Sequence, residues 1–441
     1  MPSPNAARSS GLLGKEMREL ALSPSFALLL VLVCLLVGHE FIASVQTYSE
    51  LSGSSGVGGV PAPGMNPLDG ILVPTFGAYD IAATLLLPFV VIRVFSNERA
   101  TGAWTLLVQS RASVRGMVVI KALALSGAWL IALVPGLVAV LLWKSYGGHV
   151  PLRELMALLA GHALRAGLTV AIAAAAAAIT PQSATAAIVT LGITIGSWAL
   201  EFAGATRGGS WATMAAFTPT AALRSFEQGL VSANVVMVMV VTCLAGLAVA
   251  VVWLTPGIAI GRRIAQSLAV AALFVVAAAA AARLHSSWDV TEDRRHSFSE
   301  ADEARLRALP GTLKIEVHLG AEDPRLADFH REILDKLERT VPRLDVSYLG
   351  AGGTGLFASH DAHYGEIWYE LSGKRVMLKS AIEPVVLETI YGLAGVTAAP
   401  VTGEEAYNGY PLHSDAPFAA IVFFVAGPLM VVAASWRVRK G

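Results

Sequence analysis

The chain has 441 residues, 55% hydrophobic and 15% charged, with a mean hydropathy of +0.61, whereas soluble domains carry about 45–50% apolar and about 25% charged residues. This balance excludes an ordinary soluble globular protein and puts the chain in the membrane class. The 32 basic and 32 acidic residues cancel, but 22 of the acids and only 13 of the bases lie between His285 and Asp415, which marks a separate, acidic, soluble domain.

Residues 12–22 carry Lys15, Glu16, Arg18 and Glu19 on a polar face and read as an interfacial helix that Ser23-Pro24 turns into the first span; a signal-anchor flank has the same composition. A crossing of about 30 Å takes about 20 mostly apolar residues. Eight stretches qualify or nearly so: Phe26 to Ile42, Gly77 to Val94, Ala122 to Trp143, Leu155 to Ile179, Ala184 to Phe202, Val235 to Leu254, Ile264 to Leu284 and Ala416 to Trp436. The first is expected to be a retained span rather than a cleaved signal peptide, because Glu16 and Glu19 spoil a basic leader and twenty-odd residues precede the apolar core.

Orientation follows from lysine and arginine in short loops. With the N-terminus inside, thirteen such residues face the cytosol: Arg8, Lys15, Arg18, Arg93, Arg99, Arg111, Arg115, Lys121, Arg262, Arg263, Arg437, Arg439 and Lys440. The short outer loops carry only Lys144, Arg153, Arg207 and Arg224, and the stretch from Gln46 to Tyr79 carries none. Both termini are expected in the cytosol, with residues 285–415 on the outer side.

That outer segment has its own fold signals. Ser299-Glu300-Ala301-Asp302 has a capping-box pattern opening a helix that Pro310-Gly311 ends. Leu313 to Leu319 alternates as a half-buried strand, Leu326 to Val341 has helical spacing, and Leu344, Val346 and Tyr348 alternate again. Ser372-Gly373 joins two further strands, 366–371 and 374–379, and a helix over 383–393 closes on Gly395. The order βαβββα suggests a thioredoxin-like α/β sandwich, although the chain's two cysteines, Cys34 and Cys243, both fall in apolar spans. Thioredoxin chemistry, disulfide frameworks and cysteine metal clusters are therefore not expected.

Two runs of six alanines, Ala173 to Ala178 and Ala277 to Ala282, suit close helix approach within a membrane, though compositional drift would give the same runs. No G-x-x-x-x-G-K-[ST] phosphate cradle occurs, so any ATP is handled by another protein. The segment Asn97 to Lys121 is basic and amphipathic, with Trp104, Leu107 and Val108 on one side, as a surface helix gripped by a partner would be; a plain basic loop obeying the charge rule is the other reading. Intramembrane ionisable residues suggest function by default. His162 and Arg165 share a helix face and Glu201 ends the fifth span, so an Arg165–Glu201 pair is one reading and snorkelling to the interface another; Asp80 and Glu40 lie near span ends. Seven of the ten histidines fall in the outer segment, including His360-Asp361-Ala362-His363, whose spacing fixes no metal geometry and suits a solvated loop.

These residues resemble a family. Lys15-Glu16 with Ser23-Pro24, the run from Asn97-Glu98-Arg99 through Thr101-Gly102 to Leu106-Leu107, then Gly116 and Lys121, and Phe217-Thr218-Pro219-Thr220 with Phe226 to Leu230 are similar to ABC-2 type (type V) transporter permeases. In that family Glu-x-x-x-Gly-Thr-x-Glu-Leu-Leu forms part of the coupling helix touched by the ATPase; here Gly102 and the leucine pair match, while Thr105 stands in place of glutamate and Arg111 in place of proline. From Ile264 onward, Asp289-Val290-Thr291, Ser297-Phe298-Ser299, Gly365-Glu366-Ile367, Arg375-Val376 and Leu387 to Leu393 resemble a shortened substrate-binding-like subunit of gliding-motility type ABC systems.

The expected architecture is a multi-pass α-helical membrane protein with an inserted extracytoplasmic α/β domain. Its parts are a cytosolic N-terminal helix (1–24), a six-span permease core (25–263), a seventh span (264–284), the outer domain (285–415), and an eighth span with a basic tail (416–441). The resemblance implies a non-enzymatic permease subunit in a bacterial cytoplasmic membrane, with ATP and magnesium held by two copies of a separate ATPase. That partner would dock on 97–115 through Glu98, Gly102, Trp104, Leu106 and Leu107, and on Lys15, Glu16 and Arg18, with Glu98 as the polar anchor. A second copy of the chain completes the transporter, no nucleic acid is involved, and export or envelope-directed work is expected. The rival is a scaffold that recruits an envelope partner through 285–415 and transports nothing.

Overall fold

The computed structural model describes residues 4–54, 66–109, 113–207, 209–215, 217–284, 286–320, 323–349, 363–396 and 415–440. Ser110, Arg111, His285 and His360 to Ala362 lie outside them, as do the side chains of Arg8, Arg207, Arg439 and Lys440. The chain divides into two units, residues 1–201, 216–286 and 406–441 forming the first, residues 202–215 and 287–405 the second.

The first unit is built of helices. The amphipathic α1 (Pro4–Ala21) precedes α2 (Pro24–Ser54), with Pro24 in the first helical position, where its missing N–H costs nothing. A π-helical turn (Leu68–Leu72) leads into α3 (Val73–Ala100), and the short α4 (Ala103–Gln109) follows. The next crossing comes as α5 (Val114–Ala132) and α6 (Val134–Ser145), separated at Leu133 just before Pro135. Then come α7 (Leu152–Ile179), α8 (Ser183–Arg207), α9 (Gly209–Ala215), α10 (Pro219–Glu227), the three-residue strand β1 (Leu230–Ser232), α11 (Ala233–Leu254) and α12 (Ile260–Ala281). α8 passes into the second unit, to which α9 belongs.

Among the described residues, eight helices are long and apolar enough to cross a membrane: Pro24–Glu50, Leu68–Arg99, Val114–Ser145, Leu152–Ile179, Ser183–Gly204, Ala233–Leu254, Ile260–Ala281 and Ala416–Val438. They coincide with the eight apolar stretches of the sequence, and the chain is a multi-pass helical membrane protein. The bundle core holds Val33, Val37, Phe41, Phe76, Tyr79, Val91, Leu125 and Leu158. The two alanine runs differ. Ala173, Ala174, Ala176, Ala177 and Ala178 are all buried in α7, and a Cβ on Gly246 of α11 would stand 3.1 Å from the Ala171 backbone, so small residues do bring these helices together. Of the second run only Ala281 is buried and Ala277 and Ala278 are half-buried, so it packs far less closely among the described residues. The last crossing runs through α17 (Ala416–Ala420), a π-helical segment (Ile421–Ala426) and α18 (Gly427–Lys440). It packs on α2 where Gly38 admits Phe423 and Cys34 meets Gly427.

The second unit is α/β. After β2 (Ser287–Asp289), the Asp289 carboxylate accepts from the Thr291 N–H and hydroxyl, the His296 N–H and the Ser297 hydroxyl, which knots the segment that the resemblance singles out. Ser299 caps α13 (Glu300–Arg307), its Oγ accepting from the Asp302 N–H, as the capping pattern predicts. β3 (Leu313–Val317), α14 (Pro324–Phe329), a π-helical turn (His330–Leu334), α15 (Asp335–Thr340) and β4 (Leu344–Tyr348) follow. β5 (Ile367–Leu371) and β6 (Lys374–Leu378) form the hairpin, and α16 (Glu383–Ala394) ends on left-handed Gly395. The sheet order is β4-β3-β5-β6, with β3 parallel to β4 and antiparallel to β5. Ser372 and Gly373 both have positive φ, 52° and 80°, as a two-residue hairpin turn requires. Leu313, Ile315, Val317, Tyr369 and Leu371 meet Phe329, Ile333, Leu337, Val386 and Ile390 in one core.

Candidate functional site

Most of the residues expected to dock a partner come together at the end of the bundle that carries α1. On α5 the buried stripe Met117, Val118, Lys121, Ala124, Leu125 and Ala128 places one lysine among apolar side chains. Its ammonium lies 2.9 Å from Glu16 and 3.1 Å from Glu98, and also donates to the Val94 carbonyl at 3.2 Å. Lys15 completes the group at 3.0 Å from Glu98. The side chains of Lys121, Glu16 and Glu98 are only 3%, 7% and 6% exposed while that of Lys15 is 42% exposed, so one lysine and two carboxylates pair largely out of water and Lys15 completes the charge balance from the rim. Burial raises the Glu16 carboxyl above its ordinary range, against the pull of Lys121.

This arrangement corrects several expectations. Glu98 is not an outward anchor, since it is spent on Lys15 and Lys121. Glu16 faces inward from α1 and does not share the outer polar face with Lys15 and Arg18, both exposed. On α4, Trp104 is buried and Leu107 and Val108 pack against the core, so that apolar side grips the bundle itself. Leu106 is the outward residue, 68% exposed, with Thr105 and Gln109 beside it. Gly102, at φ 76°, makes the left-handed step between α3 and α4.

The same region closes the ends of two other helices. Arg99 donates to the carbonyls of Ala177 and Ala178, at 2.6 and 3.0 Å, where α7 ends. The Trp104 indole N–H donates to the Leu254 carbonyl, the last residue of α11, at 3.1 Å. Arg263 of α12 donates to Thr255 at 2.9 Å. Cations and donors at helix C-termini satisfy carbonyls that have no intrahelical partner, so α1, α3, α4, α5, α7, α11 and α12 meet in one junction. Lys121 and Arg99 were read in the sequence as positive loop charges and as part of the run that carries the resemblance, not as internal partners; the apolar i, i+3, i+4 stripe around Lys121 was the signal that it turns inward.

A second polar group lies midway along the spans. The Arg165 guanidinium is paired with Asp80, 2.9 Å away, and not with Glu201, which instead meets Arg224 at 2.5 Å. Arg165 also donates to Thr220 at 3.3 Å, and Thr220 shares a short hydroxyl contact with Ser197. The side chain does not snorkel: Arg165 is 4% and His162 1% exposed, the histidine ring lying between Phe76 and Tyr79. Asp80, near a span end by sequence, sits inside a longer helix than composition alone suggested. In the second unit His363 meets Glu366 at 2.9 Å and lies beside His318 and Trp368; among the described residues no three His, Cys, Asp or Glu side chains are grouped to hold a metal ion.

Comparison with protein-family models, with characterised proteins and with solved structures gives no match.

Proposed function

We propose that this chain is the permease subunit of an ABC-2 type (type V) ATP-driven transporter in a bacterial cytoplasmic membrane. Both termini lie in the cytosol, the α/β unit is a thioredoxin-like domain outside, a shortened version of the gliding-motility type substrate-binding-like subunit, and two such chains work with two copies of a separate ATPase. The observation that carries the reading is the junction around Lys121. It couples the α3–α4 turn and α1 to α5 and to the ends of α7, α11 and α12, so force applied to the outward face of α4 reaches five spans through ion pairs and helix caps. The ATPase would bear on Leu106, Thr105 and Gly102, with Lys15 and Arg18 alongside, while Glu98, Glu16, Trp104 and Leu107 hold the handle to the bundle. The work is gating between two states by differential contact, directed to export or to the envelope, and makes no bond.

The test is a pull-down of the tagged full-length chain from native membranes, with Leu106→Asp alongside. A P-loop ATPase should come down with the wild type and be lost from the variant, whose elution profile stays unchanged because residue 106 packs on little. Failure to recover an ATPase in several mild detergents, or equal recovery with both chains, removes the docking assignment.

A further inference from the structure

Beside the Asp80–Arg165 pair lies a small cavity with room for about one water molecule, lined by Tyr79, Asp80, Trp129, His162, Arg165 and Thr169 among others. Four of these residues have side-chain polar atoms that are buried without a hydrogen-bond partner: Tyr79 Oη, Trp129 Nε1, both ring nitrogens of His162, and Arg165 Nη2. Tyr79 and His162 are each 1% exposed and Arg165 4%. A buried polar atom left unpaired is costly, and this group stands in the middle of membrane-crossing helices, where little else can pair with it.

We propose that this cavity is a mid-span binding site for a single water molecule. The chemistry of the lining selects the guest. Arg165 Nη2 and Trp129 Nε1 can only donate, a neutral imidazole offers one donor and one acceptor, and the tyrosine hydroxyl does either. The guest must therefore accept at least two hydrogen bonds and donate at least one, which water does with its usual two to four partners. Size excludes sugars, peptides and lipid headgroups. Charge disfavours an ion, because Arg165 is already neutralised by Asp80 at 2.9 Å and a further charge at this depth is costly. The inference does not depend on the chain being a transporter.

The test uses the full-length chain labelled with nitrogen-15 at histidine, in lipid bilayers, and reads magnetisation transfer from water to the ring nitrogens. His162→Gln assigns the His162 signal among those of the ten histidines. Transfer to His162 is expected in the wild type and should be lost in Ala83→Val or Ala166→Val, which put methyl groups into the cavity wall, while the other histidines keep theirs. Two variants guard against one failing to fold, and the wild-type spectrum is decisive without either. Absence of transfer in the wild type, or transfer that survives filling of the cavity, overturns the proposal. So does a His162 shift on exchanging chloride for bromide, which would make the guest an anion.

Discussion

Replacing Lys121 by methionine keeps the length of the side chain and deletes one of four charges. Two ammonium groups facing two carboxylates become one facing two, and the orphaned group is Glu16, itself 5% exposed. A unit-charge pair near 3 Å is worth roughly 5 kcal/mol at an effective dielectric of about 20, and breaking a buried pair by removing one partner costs about 3–5 kcal/mol. Lys121→Met is therefore expected to lower stability by about 3–5 kcal/mol, read as thermal unfolding of the purified chain in detergent. Adding Glu16→Gln restores neutrality, and the double variant should recover at least half of that loss. Because Glu16 can shed its charge by binding a proton, the single variant should suffer less at pH 5 than at pH 8. A loss below about 1 kcal/mol, typical of an exposed pair, or a double variant no better than the single, would refute the view that this is a buried, mutually neutralising cluster.

Three further outcomes are expected. Glu227, pushed up to about 7 by burial and by the nearby Asp80, binds its proton more tightly when folded than its ordinary 4.5 would allow, so stability falls as pH rises from about 4.5 through about 7. At about 1.4 kcal/mol per unit the effect is at most roughly 3 kcal/mol, and melting curves should show Glu227→Gln stabilising the protein at pH 8 but not at pH 5. Gly38→Val would put its Cβ 2.2 Å from the Phe423 Cβ, an overpacking worth about 1–3 kcal/mol; the melting temperature should drop and recover in part with Phe423→Ala. Gly102→Ala, with open space around it, should cost about 1–2 kcal/mol through the left-handed backbone alone, and Gly102→Asn less in the same assay.

Features fixed by neighbours in sequence were legible. The hairpin at Ser372-Gly373, the Ser299 cap and the Gly395 stop each depend on residues within one turn of chain, and the spans depend on runs of apolar residues. Pairings across long separations were not. Asp80 with Arg165 and Glu16 with Lys121 require the rotational phase of two helices, and apolar composition says where a helix lies but not which way it faces. For the same reason Trp104, Leu107 and Val108 could be grouped on one side of α4 while the direction of that side stayed hidden. Helix ends were misjudged where polar residues continue the helix: α2 runs past Ile42 through Gln46 and Glu50 to Ser54, and α3 begins at Val73, before Gly77, after the π-helical turn Leu68–Leu72.

The two internal ion pairs also impose an order on synthesis. In each, the acid is made first, Glu16 before Lys121 and Asp80 before Arg165, with 105 and 85 residues between them. Ribosomes add about 5–20 residues per second, so Asp80 enters the bilayer roughly 4–17 s before its base exists. An aspartate at the centre of a span is penalised by about 2.5–3.5 kcal/mol on insertion. During that interval the second span is held by its leucines, isoleucines and phenylalanines alone, and the arrival of the fourth span relieves it. Maturation of the nascent bundle is in this sense a timed event, its clock set by the distance along the chain between an acid and the base that answers it.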